Sequence, residues 1–117
     1  MNSNINDMIN ITITNFNDYI ILRTKLKINS SKTYTYESEF NINQSIRDYL
    51  ENNEKLLKGR ATCKLSLPIE PRLSKLYSIH HENWIKSVIN DIDNKVLSDK
   101  DLLDIEVISK IISDNLF

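Results

Sequence analysis

Three segments in the first part of the chain alternate strictly between apolar and polar residues, which is the pattern of half-buried β-strands. They are INITIT, YIILRTKLKI and TYTYESEFNI. The links between them, NFND and NSSK, have the composition of turns. This pattern predicts an antiparallel meander with one apolar face and one face open to water, which we call the wet face.

The charges of the second and third strands suggest how they pair. Setting Ile28 opposite Tyr34 aligns the two apolar faces. The same alignment sets two basic residues against two acids, namely Lys25 against Glu37 and Arg23 against Glu39. Opposite charges across a strand pair are favourable, so we expect this register.

Helical periodicity replaces the alternation after the meander. The stretch NQSIRDYLENNEKLLKGR predicts one helix, and Gly59 follows its last turn. Its apolar stripe consists of Ile46, Tyr49, Leu50 and Leu57. RATCKLSLP then alternates as a fourth strand that ends at Pro68. Two further helices are predicted, one from Pro71 to about Asn94 and one capped by Ser98.

The element order β-β-β-α-β-α-α predicts an α+β fold, in which an antiparallel β-meander gains a fourth strand and the helices pack on one sheet face. We expect residues 1–117 to form a single domain, with the polar residues 1–8 disordered.

The amino-acid composition indicates the cellular location of the protein more than its function. The net charge of −1 argues against a strongly basic nucleic-acid binder. One cysteine excludes an intramolecular disulfide, and no apolar run is long enough to span a membrane. These features predict a cytoplasmic or nuclear protein without a membrane partner. Ile, Asn and Lys dominate the composition, which indicates an AT-rich genome.

The two histidines are the first candidates for chemistry. His80 and His81 are adjacent, so on a helix their side chains point about 100° apart and do not readily bind one metal ion. No acid, cysteine or histidine occupies their neighbouring helical positions. We expect His80 at the edge of the core with one hydrogen bond, and His81 facing solvent.

Other reaction motifs are missing from the sequence. A chain with one glycine cannot form a phosphate-binding loop, a dinucleotide fingerprint or a nucleophile elbow. The strand phase of Cys63 points inward, which predicts an inert thiol. We therefore predict a protein without enzymatic activity, with no catalytic residues, no metal site and no cofactor.

The last helix carries more apolar width than a surface helix needs. Residues on its extended face and at the end of the chain are the predicted protein contacts: Leu103, Val107, Ile111 and Phe117. The leading hypothesis is a non-enzymatic protein–protein interaction module that binds another protein or itself. It would act as a small subunit of a larger complex or as an inhibitor, for example one encoded by a phage or mobile element. Coverage of this face by the preceding helix is the alternative.

The second hypothesis is RNA or DNA binding by the wet face of the sheet. The basic residues predicted there are Arg23, Lys25, Lys27, Arg60 and Lys64. Sheets that bind single strands also present aromatic side chains, but here Tyr34, Tyr36 and Phe40 share the apolar phase. Glu37 and Glu39 neutralise part of the stripe. A solvated face with cross-strand ion pairs is the simpler interpretation.

Overall fold

The computed structural model describes residues 8–29, 32–95 and 97–114. The strands are β1 (Ile9–Asn15), β2 (Tyr19–Asn29), β3 (Lys32–Asn41) and β4 (Thr62–Leu65). The helices are α1 (Gln44–Glu51), α2 (Glu54–Leu57), α3 (Pro71–Asp93) and α4 (Asp99–Asp114). This order confirms the predicted α+β fold, with one short helix added. Residues 1–7 of the segment expected to be disordered lie outside the described residues.

All four strands belong to one antiparallel sheet in the order β3-β2-β1-β4. The fourth strand joins the meander beside β1, where Ile13 lies opposite Cys63. The residues of β1 and β2 that share the predicted apolar phase are buried against the helices: Ile9, Ile11, Ile13, Ile20, Leu22, Leu26 and Ile28. On the edge strand β3 the inward residues are only half-buried. The sheet and the helices share this core.

The predicted register between β2 and β3 is wrong by two residues. Leu26, and not Ile28, lies opposite Tyr34. Asn29 at the end of β2 lies opposite Lys32 at the start of β3, and the register shifts between Lys27 and Asn29. Because side chains alternate with a period of two, a two-residue slip keeps every side chain on its predicted face.

The slip changes which charges meet. Arg23 lies opposite Glu37, with 3.2 Å between Nη2 and Oε1, and Lys25 lies opposite Thr35. Glu39 lies opposite Ile21. Neither of the two expected ion pairs forms; among the described residues, Arg23–Glu37 is the cross-strand ion pair between β2 and β3.

The predicted helix after the meander is divided into α1 and α2. Asn43 caps α1 by accepting the Ile46 N–H, and Asn52 is the C-cap after its last residue, Glu51. Asn53 then adopts an extended conformation before α2 begins. Asparagine competes with helix hydrogen bonds through its own side chain, so two in succession favour an interruption.

The interruption changes which leucine is buried. Leu56 is fully buried, whereas Leu57, assigned to the apolar stripe from the sequence, is 53% exposed. The buried side chain of Asn15 holds this arrangement, because its Nδ2 donates to the Leu56 carbonyl at 2.7 Å. The end of β1 therefore positions α2.

A reciprocal cap begins α4, as the sequence predicted for Ser98. The Ser98 Oγ accepts the Asp101 N–H at 3.2 Å, and the Asp101 carboxylate accepts the Ser98 N–H at 3.0 Å. Lys32 at the start of β3 also donates to this carboxylate, at 2.6 Å. The Lys32 hydrogen bond is the main reason why the pKa of Asp101 is lowered to about 2. These contacts tie the start of α4 to the β2–β3 hairpin.

Gly59 occupies the left-handed region with φ of 69°. An added Cβ would lie within 2.8 Å of three side-chain atoms of Asn17, in the turn between β1 and β2. Both the backbone angle and the space beside it therefore require glycine.

We expect Gly59→Ala to lower the free energy of unfolding by about 1–2 kcal/mol from the backbone conformation alone, with the collision adding to this loss. Urea unfolding followed by circular dichroism measures it. The double variant Asn17→Gly/Gly59→Ala removes the collision and should recover part of the loss. Equal stability of Gly59→Ala and the wild type would contradict the conformational requirement.

Candidate interaction surfaces and the histidine pair

His80 lies in the core, not at its edge. Its side chain is fully buried on the line of α3 that packs against the sheet. Nε2 lies 2.7 Å from the hydroxyl of Thr24 on β2, and Nδ1 lies 2.6 Å from the hydroxyl of Ser38 on β3. The ring also packs beside Tyr36 and Tyr77. Each ring nitrogen thus has a hydrogen-bond partner, whereas the sequence predicted only one hydrogen bond for His80.

His81 is half-buried and does not face solvent as predicted. It points toward α4, where its Nε2 lies 2.9 Å from the Ser109 hydroxyl. Its ring centroid lies 4.6 Å from that of Trp84. Nδ1 is buried without a hydrogen-bond partner among the described residues. If Nε2 carries the proton and donates to Ser109, Nδ1 holds only a lone pair, as in neutral histidine.

Burial sets the protonation of both histidines. It lowers the pKa of His80 to about 4, with a further contribution from the charge of His81. Burial also lowers the pKa of His81. Both rings are therefore neutral at pH 7 and act as packed, hydrogen-bonded side chains. Within the described part of the chain, no three His, Cys, Asp or Glu side chains are grouped so as to hold a metal ion.

Helix α4 separates its apolar residues into an inner and an outer line. Ile105, Ile108 and Ile112 are buried on the inner line. Leu103 and Val107, one turn apart on the outer line, are 63% and 61% exposed. No other large apolar side chain among the described residues is as exposed.

We call Leu103, Val107 and the half-buried Ile111 the outer stripe. Phe117, the fourth predicted contact residue, lies outside the described residues. The preceding helix α3 therefore leaves Leu103 and Val107 of the predicted contact surface uncovered.

The five basic residues predicted on the wet face do not form one stripe. Arg23 is held by Glu37, and Arg60 follows Gly59 with its backbone N–H bonded to the Asn15 carbonyl. The other three, Lys25, Lys27 and Lys64, line a single cleft of about 340 Å³. We call it the lysine cleft. Its other walls are Met8, Ile9, Asn10 and Thr33.

The wet face also carries an aromatic pair that the sequence interpretation missed. Tyr34, Tyr36 and Phe40 do pack toward the core, as predicted. Tyr19, however, begins β2 in the same phase as Lys25 and stacks on Phe16, with 4.9 Å between ring centroids and 10° between ring planes. The sequence contains a signal for this placement. Tyr19 lies an even number of residues from Lys25 and Lys27 on the same strand, so the three side chains share one face.

Two further observations bear on the setting of these surfaces. Within the described ranges, no helix combines the length and apolar character needed to cross a membrane. Comparison of the chain with protein-family models, with curated proteins and with solved structures found no match.

We expect the free energy of unfolding to fall by about 2 kcal/mol between pH 7 and pH 5 because of His80. The unfolded histidine takes up a proton near its ordinary pKa of 6.5, but the folded one does so only near 4. The contribution of His80 to the free energy of unfolding is therefore complete well above pH 6.5. It is lost progressively as the pH falls from 6.5 toward the pKa of the folded state, near 4. His81 acts in the same direction.

Urea unfolding of the wild type and of His80→Gln at both pH values isolates this contribution, because the carboxylates titrate equally in the two proteins. The variant should lose less stability on acidification. An identical pH dependence in the two proteins would contradict a buried, neutral His80.

Proposed function

We propose that this chain is a non-enzymatic protein-interaction module that contacts its partner through the outer stripe of α4. The observation that carries the proposal is the exposure of Leu103 and Val107 on a helix whose inner line already supplies its packing. Burying such a side chain completely is worth about 1.5–3 kcal/mol. The module would work as a small cytoplasmic subunit of a complex or as a protein inhibitor.

The surroundings of the outer stripe suit a protein contact. Lys100, Glu106 and Lys110 are exposed around it, so an apolar centre has a charged rim. Interfaces have this arrangement, with apolar side chains at the centre and charges that orient the partner at the edge. Both histidines are engaged in packing, which fits a binding function better than a reaction.

A second copy of the chain is the occupant that the stripe favours. If two α4 helices pair antiparallel about Val107, Leu103 of one copy lies opposite Ile111 of the other. The same pairing brings Lys100 opposite Asp114, so charges of opposite sign meet at both ends. Antiparallel pairing also sets each helix N-terminus beside the C-terminus of its neighbour, which is the favourable orientation of the helix dipoles.

We expect the wild type to form a concentration-dependent dimer and Val107→Asp to be monomeric, because the variant sets two carboxylates against each other at the centre of the contact. Size exclusion with light scattering across a concentration series measures the mass. Leu57→Asp is the matched control, since it places the same charge at an exposed apolar position on α2 and should dimerise like the wild type.

Neither substitution should change the free energy of unfolding of the monomer by more than about 0.5 kcal/mol, because both sites are exposed. A dimer that persists in Val107→Asp would refute the outer stripe as the contact. A monomeric wild type would exclude the second copy. The interaction proposal would then require one host protein that binds the wild type and Leu57→Asp but not Val107→Asp.

A further inference from the structure

We propose that the wet face of the sheet binds single-stranded nucleic acid, with phosphates in the lysine cleft and a base against the Phe16–Tyr19 pair. This surface lies on the opposite side of the sheet from the helices, so it is independent of the outer stripe. The lysine cleft, the aromatic pair and the acids at one edge of the sheet support the inference together.

The lysine cleft concentrates positive charge that the protein itself does not neutralise. Lys25, Lys27 and Lys64 are exposed and come from β2 and β4, on either side of β1. Among the described residues, no carboxylate lies within 4 Å of any of the three ammonium groups. Three like charges lining one cleft repel each other, and a bound anion removes that repulsion. Phosphates suit lysine, which binds them as a point charge.

The neighbouring polar residues fit the same ligand. Thr33 and Asn10 line the cleft and bring hydroxyl and amide donors beside the lysines. Arg23, in the next row of the face, is paired with Glu37, so the three lysines are the unpaired cations that we assign to the phosphates. Contacts of this kind to phosphate and sugar position a nucleic acid without reading its sequence.

The aromatic pair extends the site along β2. Tyr19 and Lys27 are eight residues apart on the same face of this strand, a span of about 26 Å at 3.3 Å per residue. Both rings of the pair are only half-buried, so part of their surface is open to a base. Stacking on aromatic side chains is how single-stranded nucleic acids bind without sequence preference.

The two features together distinguish a single strand from other anions. A free phosphate or an acidic peptide would use the lysine cleft alone, and a duplex cannot stack its paired bases on a surface ring. Of the two acids on β3, Glu37 is paired with Arg23, whereas Glu39 has no ion-pair partner among the described residues and repels phosphates from that edge of the sheet. A bound strand would therefore follow β2 and β1 between the lysine cleft and Tyr19.

The test measures binding of a fluorescent 12-nucleotide oligouridylate, and of the matching DNA, by anisotropy in low salt. We expect the wild type to bind with a Kd below about 100 μM. The logarithm of the binding constant should fall with the logarithm of salt concentration with a slope of about −2, as three neutralised phosphates on a single strand require. Lys25→Glu/Lys64→Glu should weaken binding at least tenfold.

Lys75→Glu/Lys86→Glu is the matched control, because it makes the same change in net charge on the exposed side of α3. It should bind like the wild type. Tyr19→Leu keeps an apolar side chain on the strand but removes the ring, and should weaken binding by about tenfold with little change in salt slope.

Several results would overturn the proposal. One is absence of binding by the wild type at about 100 μM protein. A second is an equal loss in the Lys75→Glu/Lys86→Glu control, which would show only a net-charge effect. A third is unchanged binding by Tyr19→Leu, or equal affinity for a duplex of the same length, because either result would reduce the site to one for phosphate in general.

Discussion

The position of α3 on the sheet is fixed by a buried polar contact within an apolar surface. His80 lies among large apolar side chains, where an unpaired ring nitrogen would cost about 1–3 kcal/mol. The hydroxyls of Thr24 and Ser38 come from adjacent strands, and together they satisfy both nitrogens. Moving α3 by one turn, or slipping β2 against β3, would leave the ring without these partners. Apolar packing supplies the attraction between helix and sheet, and the hydrogen bonds select one alignment.

The other helices follow from that alignment. With α3 in place, His81 contacts Ser109 of α4, and the inner line of α4 closes the core. Helix α4 is then held at its start by the cap at Ser98 and by the ion pair between Lys32 and Asp101. Because the core needs only one line of α4, Leu103 and Val107 are left outside. The exposed stripe is thus a consequence of how few residues the last helix must bury.

The sequence predicts the elements well because their signals are local. Period-two alternation places the apolar residues of β1 and β2 on the correct face, and Ser98 marks the start of α4. The errors concern relations between elements. The β2–β3 register depends on the connection between the strands, and local charge matching chose the wrong partners for both Glu37 and Glu39. A helix pattern also runs through Asn52 and Asn53, although the buried Asn15 side chain favours a break there.

The candidate surfaces divide in the same way. The outer stripe is visible in the helical periodicity of α4. The sequence also predicts the three lysines on the wet face, but their meeting in one cleft depends on the pairing of β4 with β1 at the far side of the meander. The partners of the histidines were equally hidden, since Thr24, Ser38 and Ser109 all come from other elements.

The strand order also has a consequence for the assembly of the chain. Strands β1 to β3 pair with their sequence neighbours, and such local hairpins close rapidly. Strand β4 must return to β1 from across α1 and α2, as in the hydrogen bond between Thr14 and Thr62, which joins residues 48 positions apart. Lys25 and Lys27 are thus in place once the meander exists, whereas Lys64 arrives only when this slower closure is complete. A nascent or partly folded chain has two of the three lysines, and the full concentration of charge belongs to the finished sheet.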